Sequence, residues 1–275
     1  MKLLKITLPL VCLLFAQGCF KKNAEGRRTL QFMPKSLIRS QSFKAYADQK
    51  KSIPLSKDVR KNRINQRVGQ RLIEVAKRVY PEYCKGFSWE VQLFDQPKTV
   101  NAYCMPGGKI GIYTGILPVC ENEAALAAVM GHEVAHALLS HGNERVSQQM
   151  VFSGGMIAAQ IGMSQNKSVN EDFKKKLLGA VGLGAQVGLL LPFSRKHESE
   201  ADQMGLRLMA QAGYDPSEAA NLWRRMKAKA GGKQPPELLS THPSNQKRIN
   251  RLEELKASVM PFYSSSPKYG KGEKF

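Results

Sequence analysis

The sequence is short of several things. It has five cysteines and no Cys-x-x-Cys pair, so a cysteine-based zinc site is not expected. It has 22 acidic residues against 42 basic ones, a formal charge of +20. That imbalance favours an anionic neighbour such as a phospholipid surface or polyanionic envelope, and says nothing about fold. Glycine and proline are not in excess, and only 23% of residues are charged, which excludes wholesale disorder. Beyond a short N-terminal segment there is no run of 18 or more apolar residues, which excludes a multi-span membrane protein. No internal repeat is found. No RNP motif, zinc finger or recognition-helix pattern accompanies the positive charge, so no specific nucleic-acid partner is expected. What remains, in 275 residues of which 42% are hydrophobic, is one domain with appendages and a real core.

The N-terminus reads as an export signal. Lys2 and Lys5 precede an apolar run from Ile6 to Ala16, too short to span a bilayer and of signal-peptide length. Gly18 before Cys19 suggests a lipoprotein signal, with residues 1–18 removed and Cys19 lipidated, although Ala16 stands where Leu is usual. A periplasmic lipoprotein follows as the expectation. Without Asp after the cysteine, the outer membrane is the favoured anchor. Three cysteines then remain, Cys84, Cys104 and Cys120; one disulfide with one free thiol is the simplest oxidised state.

Residues 19–57 read as a polar, basic tether with a short helix around Pro34–Lys50. Val59, Ile64, Val68, Leu72, Val75 and Val79 recur at helical spacing, opposite a polar face of Arg60, Lys61, Arg63, Arg67 and Arg71. That face is either simply solvated or apposed to anionic lipid. Strands are expected at 87–94 and 109–114, with Pro106-Gly107-Gly108 as a turn between. Helices are expected at 122–141, 196–212, 216–230 and 243–258, with a loop at 231–236. Residues 152–192 are apolar and rich in small residues, which suits a mobile flap or close helix packing; 261–275 read as a disordered tail.

The chemistry concentrates in His132-Glu133-Val134-Ala135-His136. Histidines four apart share one helix face and can grip a single zinc ion, with Glu133 on the solvent side of the same site. A third ligand must come from elsewhere, and catalysis needs an open position. Glu198 is the best candidate; Asp202, four residues on, lies on the same face and can accept the outer N–H of a ligating imidazole. By the same geometry Glu200 points away, as a surface charge. His197 is read as exposed or capping, and His141 as a helix-end residue rotated off the ligand face. His242, in a loop before a helix, can donate to an oxyanion.

These blocks together resemble the membrane-associated gluzincin metallopeptidases, among them the CAAX prenyl-protein endopeptidases, the HtpX heat-shock protease, the mitochondrial inner-membrane stress protease and bacterial periplasmic lipoprotein peptidases. The resemblance rests on NAYCMPGGKIGIYTGIL, ENEAALAAVMGHEVAHALLSHGNER, LLPFSRKHESEADQMGLRLMAQAGYDP and THPSNQKRI, and is nearest to the last two groups. It implies one Zn2+ on His132, His136 and Glu198, Glu133 as base and Asp202 behind a ligand. It further implies His242 as transition-state stabiliser and Arg248 as a basic residue near the active site. Asn101, Ala102 and Tyr103 match an edge strand along which polypeptide substrate would lie. A disulfide between Cys104 and Cys120 would stiffen that cleft. The implied fold is α+β: a mainly helical zincin-like domain over 58–260 with a small sheet at the cleft edge. The implied activity is a zinc endopeptidase of misfolded or damaged envelope proteins. A membrane-tethered zinc-binding chaperone or assembly factor with little proteolysis is the alternative.

Overall fold

A computed structural model describes residues 20–151, 194–231, 237–242 and 246–275. The export signal, Cys19 and the flap at 152–192 lie outside the described residues. Strands β1 (Phe20–Lys22) and β2 (Arg28–Leu30) form an antiparallel hairpin. Helices α1 (Lys35–Ser52) and α2 (Val59–Val79) follow, the second capped by Asp58, whose carboxylate accepts from Lys61 N at 2.9 Å. Its apolar stripe is buried as the spacing requires, with Ile64, Val68 and Leu72 fully covered.

A three-stranded sheet comes next: β3 (Glu90–Phe94), β4 (Ala102–Met105) and β5 (Lys109–Tyr113), in spatial order β3-β5-β4. β3 runs parallel to β5, pairing Glu90 with Lys109; β4 runs antiparallel, pairing Ala102 with Ile112. The β4–β5 turn needs left-handed backbone at Gly107 and Gly108, with φ of +97° and +87°. One face of the sheet belongs to the main core. The other carries Phe94, Tyr103, Met105 and Tyr113, closed over by Tyr46 of α1. The segment expected as a tether is thus partly folded onto the domain.

Helix α3 (Glu123–Leu138) is the centre of the molecule, and every one of its residues is buried. Such all-round burial is what its Ala, Leu and Val content demands. Asn122 caps it, accepting from Ala125 N at 2.9 Å. Fully covering a side chain such as Leu126 contributes about 1.5–3 kcal/mol. The helix breaks at Ser140, whose φ is +59°, and residues 141–151 resume as helix beyond it. Helix α4 (Arg195–Gln211), capped by Ser194, packs against α3 more extensively than any other element does. The two cross at Gly131 and Gly205: a Cβ on Gly205 would lie 2.8 Å from His132 N, and one on Gly131 2.9 Å from Gly205 O. α5 (Ser217–Ala230) and α6 (Gln246–Ser264) complete the core.

Residues 261–275 are not the disordered tail that their composition suggests. Helix α6 runs to Ser264, and the rest folds back over the start of α3. Glu123 N donates to Glu273 O at 3.0 Å and Ala124 N to Lys271 O at 3.1 Å, occupying donors that a helix start leaves unpaired. Glu273 also pairs with Arg60, Arg63 and Arg67, and Arg71 lies 3.4 Å over the Tyr269 ring. Much of the basic face of α2 is therefore engaged within the molecule. Cys84, Cys104 and Cys120 are all free, so the expected disulfide is not formed. Burial pushes the Cys120 thiol up to about 12 and Cys104 well above its ordinary value.

Candidate metal centre

Four donors from three places in the fold converge. His132 and His136 lie one turn apart on α3, Glu198 on the first turn of α4, and His242 at the end of a one-turn helix, Leu238–Thr241. All four are buried, and their donor atoms lie within 4.8 Å of one another. His132 Nε2 is 3.0 Å from His136 Nε2, and each of these nitrogens is 3.4 Å from a Glu198 oxygen. Zinc bonds of about 2.0–2.1 Å at a tetrahedral angle put donor atoms about 3.3 Å apart; the two imidazoles are near that spacing, and Glu198 meets it through Oε2 to His132 and through Oε1 to His136. His242 Nδ1 lies 2.9 Å from Glu198 Oε1 and 3.2 Å from His132 Nε2, in the position of a fourth donor.

Glu133 is buried beside this group. Its Oε1 lies 3.4 Å from His242 Nε2 and has no hydrogen-bond partner among the described residues. Burial pushes its carboxyl above the usual range, opposed in part by His242 and His132. For Glu198 burial also works upward, but the charges of His242, His132 and Arg248 outweigh it and hold the group ionised.

Behind His132, Asp202 Oδ1 lies 2.9 Å from Nδ1. Arg248 then holds Asp202 by two hydrogen bonds, of 2.8 and 2.7 Å, and pairs with Glu198 Oε2 at 2.6 Å. Its guanidinium lies flat on Trp223, 3.7 Å from the ring centroid. Arg248 is thus directed at the carboxylates of the site.

Three residues are placed differently from the spacing argument. Glu200 is not a free surface charge: Arg27 of the N-terminal hairpin pairs with it at 2.5 Å, and its Oε2 is 3.0 Å from His141 Nε2. His141 is fully buried, its Nδ1 2.8 Å from His136 Nδ1. His197 is also buried, stacked on His141 at 4.4 Å between centroids and paired with Glu144 at 3.2 Å. Arg27 forks onto Glu144 as well, at 2.8 and 2.6 Å. Burial pushes His141 down to about 4. Burial works upward on Glu144, but hydrogen bonds from His197 and Arg27 bring it down to about 2.

The cluster opens on a cavity of about 260 Å³. Leu37, Ile38 and Gln41 of α1 form part of its wall, residues 101–106 another, and Glu133, His136 and His242 a third. Among the described residues, β4 is an edge strand of its sheet. Tyr113 N donates to Asn101 O, so residues 101, 103 and 105 bond to β5 and alternate residues, Ala102 and Cys104, turn their backbone groups outward. Ala102 N is taken locally by Asn101 Oδ1 at 2.9 Å. The Tyr103 ring packs among Tyr46, Phe94 and Tyr113, with its hydroxyl on Gln49.

The model of peptidase family M48 matches residues 59–256, most of the chain and every donor above. The chain belongs to peptidase family M48. The relatives it matches are named as metalloendopeptidases or as a protease. It is 40% identical over 168 residues to the mitochondrial metalloendopeptidase OMA1 of Schizosaccharomyces pombe, covering 60% of this chain and 46% of that one. To the mitochondrial metalloendopeptidase OMA1 of Homo sapiens it is 31% identical, covering 61% and 32%. To the beta-barrel assembly-enhancing protease of Yersinia pestis it is 25% identical, covering 57% and 33%. The chain thus spans about a third to a half of the length of these relatives. Among the described residues, no helix is long and apolar enough to cross a membrane.

Proposed function

We propose that the protein is a zinc-dependent endopeptidase of the cell envelope, acting on misfolded or damaged proteins there. One observation carries the reading: His132, His136 and Glu198 turn three donor atoms on one point, with Glu133 beside them in the wall of a cleft bounded by a strand edge. These three residues hold one zinc per chain. Zinc, when bound, supplies the Lewis acidity that polarises a carbonyl and eases deprotonation of water.

The remaining steps fall to side chains and backbone. An extended substrate adds to β4 as a further strand, hydrogen-bonding Ala102 O and the outward groups of Cys104. Asn101 and Tyr103 hold that strand in register, through β5 and the aromatic cluster. Glu133 Oε1 takes the proton of the attacking water and passes it to the leaving amine. Asp202 fixes the His132 tautomer, and Arg248 holds Asp202 and Glu198 in place. His242 is the donor that gives way. It sits on a one-turn helix, whereas the other three sit on long helices packed against each other. In the substrate complex His242 would be the hydrogen-bond donor to the oxyanion.

Residues 1–18 act as the export signal and Cys19 as the lipid acceptor, which makes the protein a periplasmic lipoprotein. The name of the Yersinia pestis relative, a beta-barrel assembly-enhancing protease, suggests β-barrel proteins in assembly as one substrate group.

The test is cleavage of unfolded casein by the chain and by Glu133→Gln, with and without a chelator. Cleavage confined to the chelator-free parent, with zinc retained by Glu133→Gln, is the expected outcome. Equal cleavage by the variant overturns the mechanism. Zinc binding without cleavage, in parent and variant alike, favours a zinc-binding chaperone or assembly factor.

A further inference from the structure

The two metal-directed imidazoles need opposite things from their two nitrogens. His136 faces the cluster with Nε2, 3.0 Å from His132 Nε2. A neutral imidazole that offers Nε2 to a metal carries its proton on Nδ1. That Nδ1 lies 2.8 Å from His141 Nδ1, which must therefore accept. His141 then carries its own proton on Nε2, and Nε2 lies 3.0 Å from Glu200 Oε2, an acceptor. Glu200 is in turn held by Arg27, its Oε1 2.5 Å from Nε and its Oε2 3.0 Å from Nη2. Each link fixes the next, and among these contacts of the described residues one direction of donation satisfies them all.

From this chain of contacts we infer that His141, Glu200 and Arg27 are positioning residues for the metal ligand His136, and that the N-terminal hairpin is thereby part of the metal centre. The chain fixes the His136 tautomer and makes Nε2 a better donor. Arg27 reaches the site because the hairpin turn is itself pinned. Asn23 Oδ1 accepts from Glu25 N and from Arg27 N, at 3.1 and 2.9 Å. The Arg27 guanidinium is anchored on its far side by Glu144, so it is oriented before any metal arrives. His197, stacked on His141, keeps that ring in plane. No covalent step is involved.

The inference rests on the metal reading above, and the experiment separates the two. Zinc affinity of the full-length chain is measured by competition with a chromophoric chelator, and the visible spectrum of the cobalt(II) form is recorded. His141→Phe keeps the stack and removes the acceptor; Glu200→Ala removes the carboxylate; Glu200→Gln keeps an acceptor without the charge; Arg27→Ala and Arg27→Lys probe the last link. Losses of about 10–100-fold in zinc affinity are expected for His141→Phe and Glu200→Ala. Smaller losses are expected for Glu200→Gln and Arg27→Ala, with partial recovery in Arg27→Lys. The cobalt bands shift in the same order while the metal-free far-ultraviolet circular dichroism stays that of the parent. Should His141→Phe fail to fold, Glu200→Ala decides, since Glu200 is 18% exposed and lies off the core. A parent that binds zinc, with folded Glu200→Ala within twofold of it and an unchanged cobalt spectrum, overturns this inference alone. A parent that binds no zinc overturns the metal reading and this inference with it.

Discussion

The two imidazoles of the His-Glu-x-x-His helix are supported in different ways. His132 rests directly on a carboxylate, Asp202, and that carboxylate rests on Arg248; all three are buried, and the supports come from α4 and α6 within the core. His136 rests on a third imidazole, then Glu200, then Arg27, and the far end belongs to a two-stranded hairpin at the surface. Both arms end in an arginine bound to a carboxylate. The first is short, dry and made of packed helices. The second is long, and its terminal pair is 18% exposed on each side. A buried pair resists solvent and salt but is costly to break, whereas a half-exposed one is weaker and open to adjustment.

The comparison yields predictions of decreasing size. Arg248→Ala leaves Asp202 and Glu198 buried without their cation; a loss of about 3–5 kcal/mol is expected in urea unfolding of the metal-free protein. Arg248→Lys recovers only part, since an ammonium cannot reproduce the two-pronged contact with Asp202. Asp202→Ala should weaken zinc binding by about 10–100-fold at chelator competition. If Glu200→Ala matches it, the longer arm transmits as well as the short one.

The pH dependence separates the arms further. The Glu144 carboxyl beside Arg27 is lowered from 4.5 to about 2. Its contribution is therefore complete above pH 4.5 and lost as the pH falls towards 2. The melting temperatures of parent and Glu144→Gln should differ at pH 6 and converge between pH 4.5 and 2; a constant gap would contradict the assignment. The smallest effect is expected for Arg27→Ala on overall stability. At about 1 kcal/mol or less, it should shrink as salt is raised from 0.05 to about 0.5 M, while that of Arg248→Ala should not.

The legibility of these parts in the sequence follows their range. His132 with His136, and Glu198 with Asp202, are i,i+4 pairs, and a helix places such pairs by itself. The order of helices and the strands at 90–94 and 109–113 were legible for the same reason, from periodicity and the Pro-Gly-Gly turn. His141 stands outside the donor cluster, as its spacing from His136 predicts, but its burial against His136 was not legible, because the left-handed backbone at Ser140 ends the helix before it. Glu200 does point away from Glu198 on α4, but its partners are 59 and 173 residues distant, and no spacing rule reaches them. The C-terminal segment was misread because its Ser, Lys and Gly content suggests disorder; what orders it is Glu273 against an arginine stripe some 200 residues away. The stripe itself was legible, but its partner was not.

The crossing of α3 and α4 at Gly131 and Gly205 has a consequence for the ion. His132 and His136 belong to one helix, so their separation is set by helical pitch. Both spans to Glu198 run from one helix to the other, so they are set by how closely the two backbones approach. The two glycines make that approach as near as hydrogen atoms allow. A methyl at either position would lengthen two edges of the donor triangle and leave the third alone. The pair acts as a caliper on those two spans.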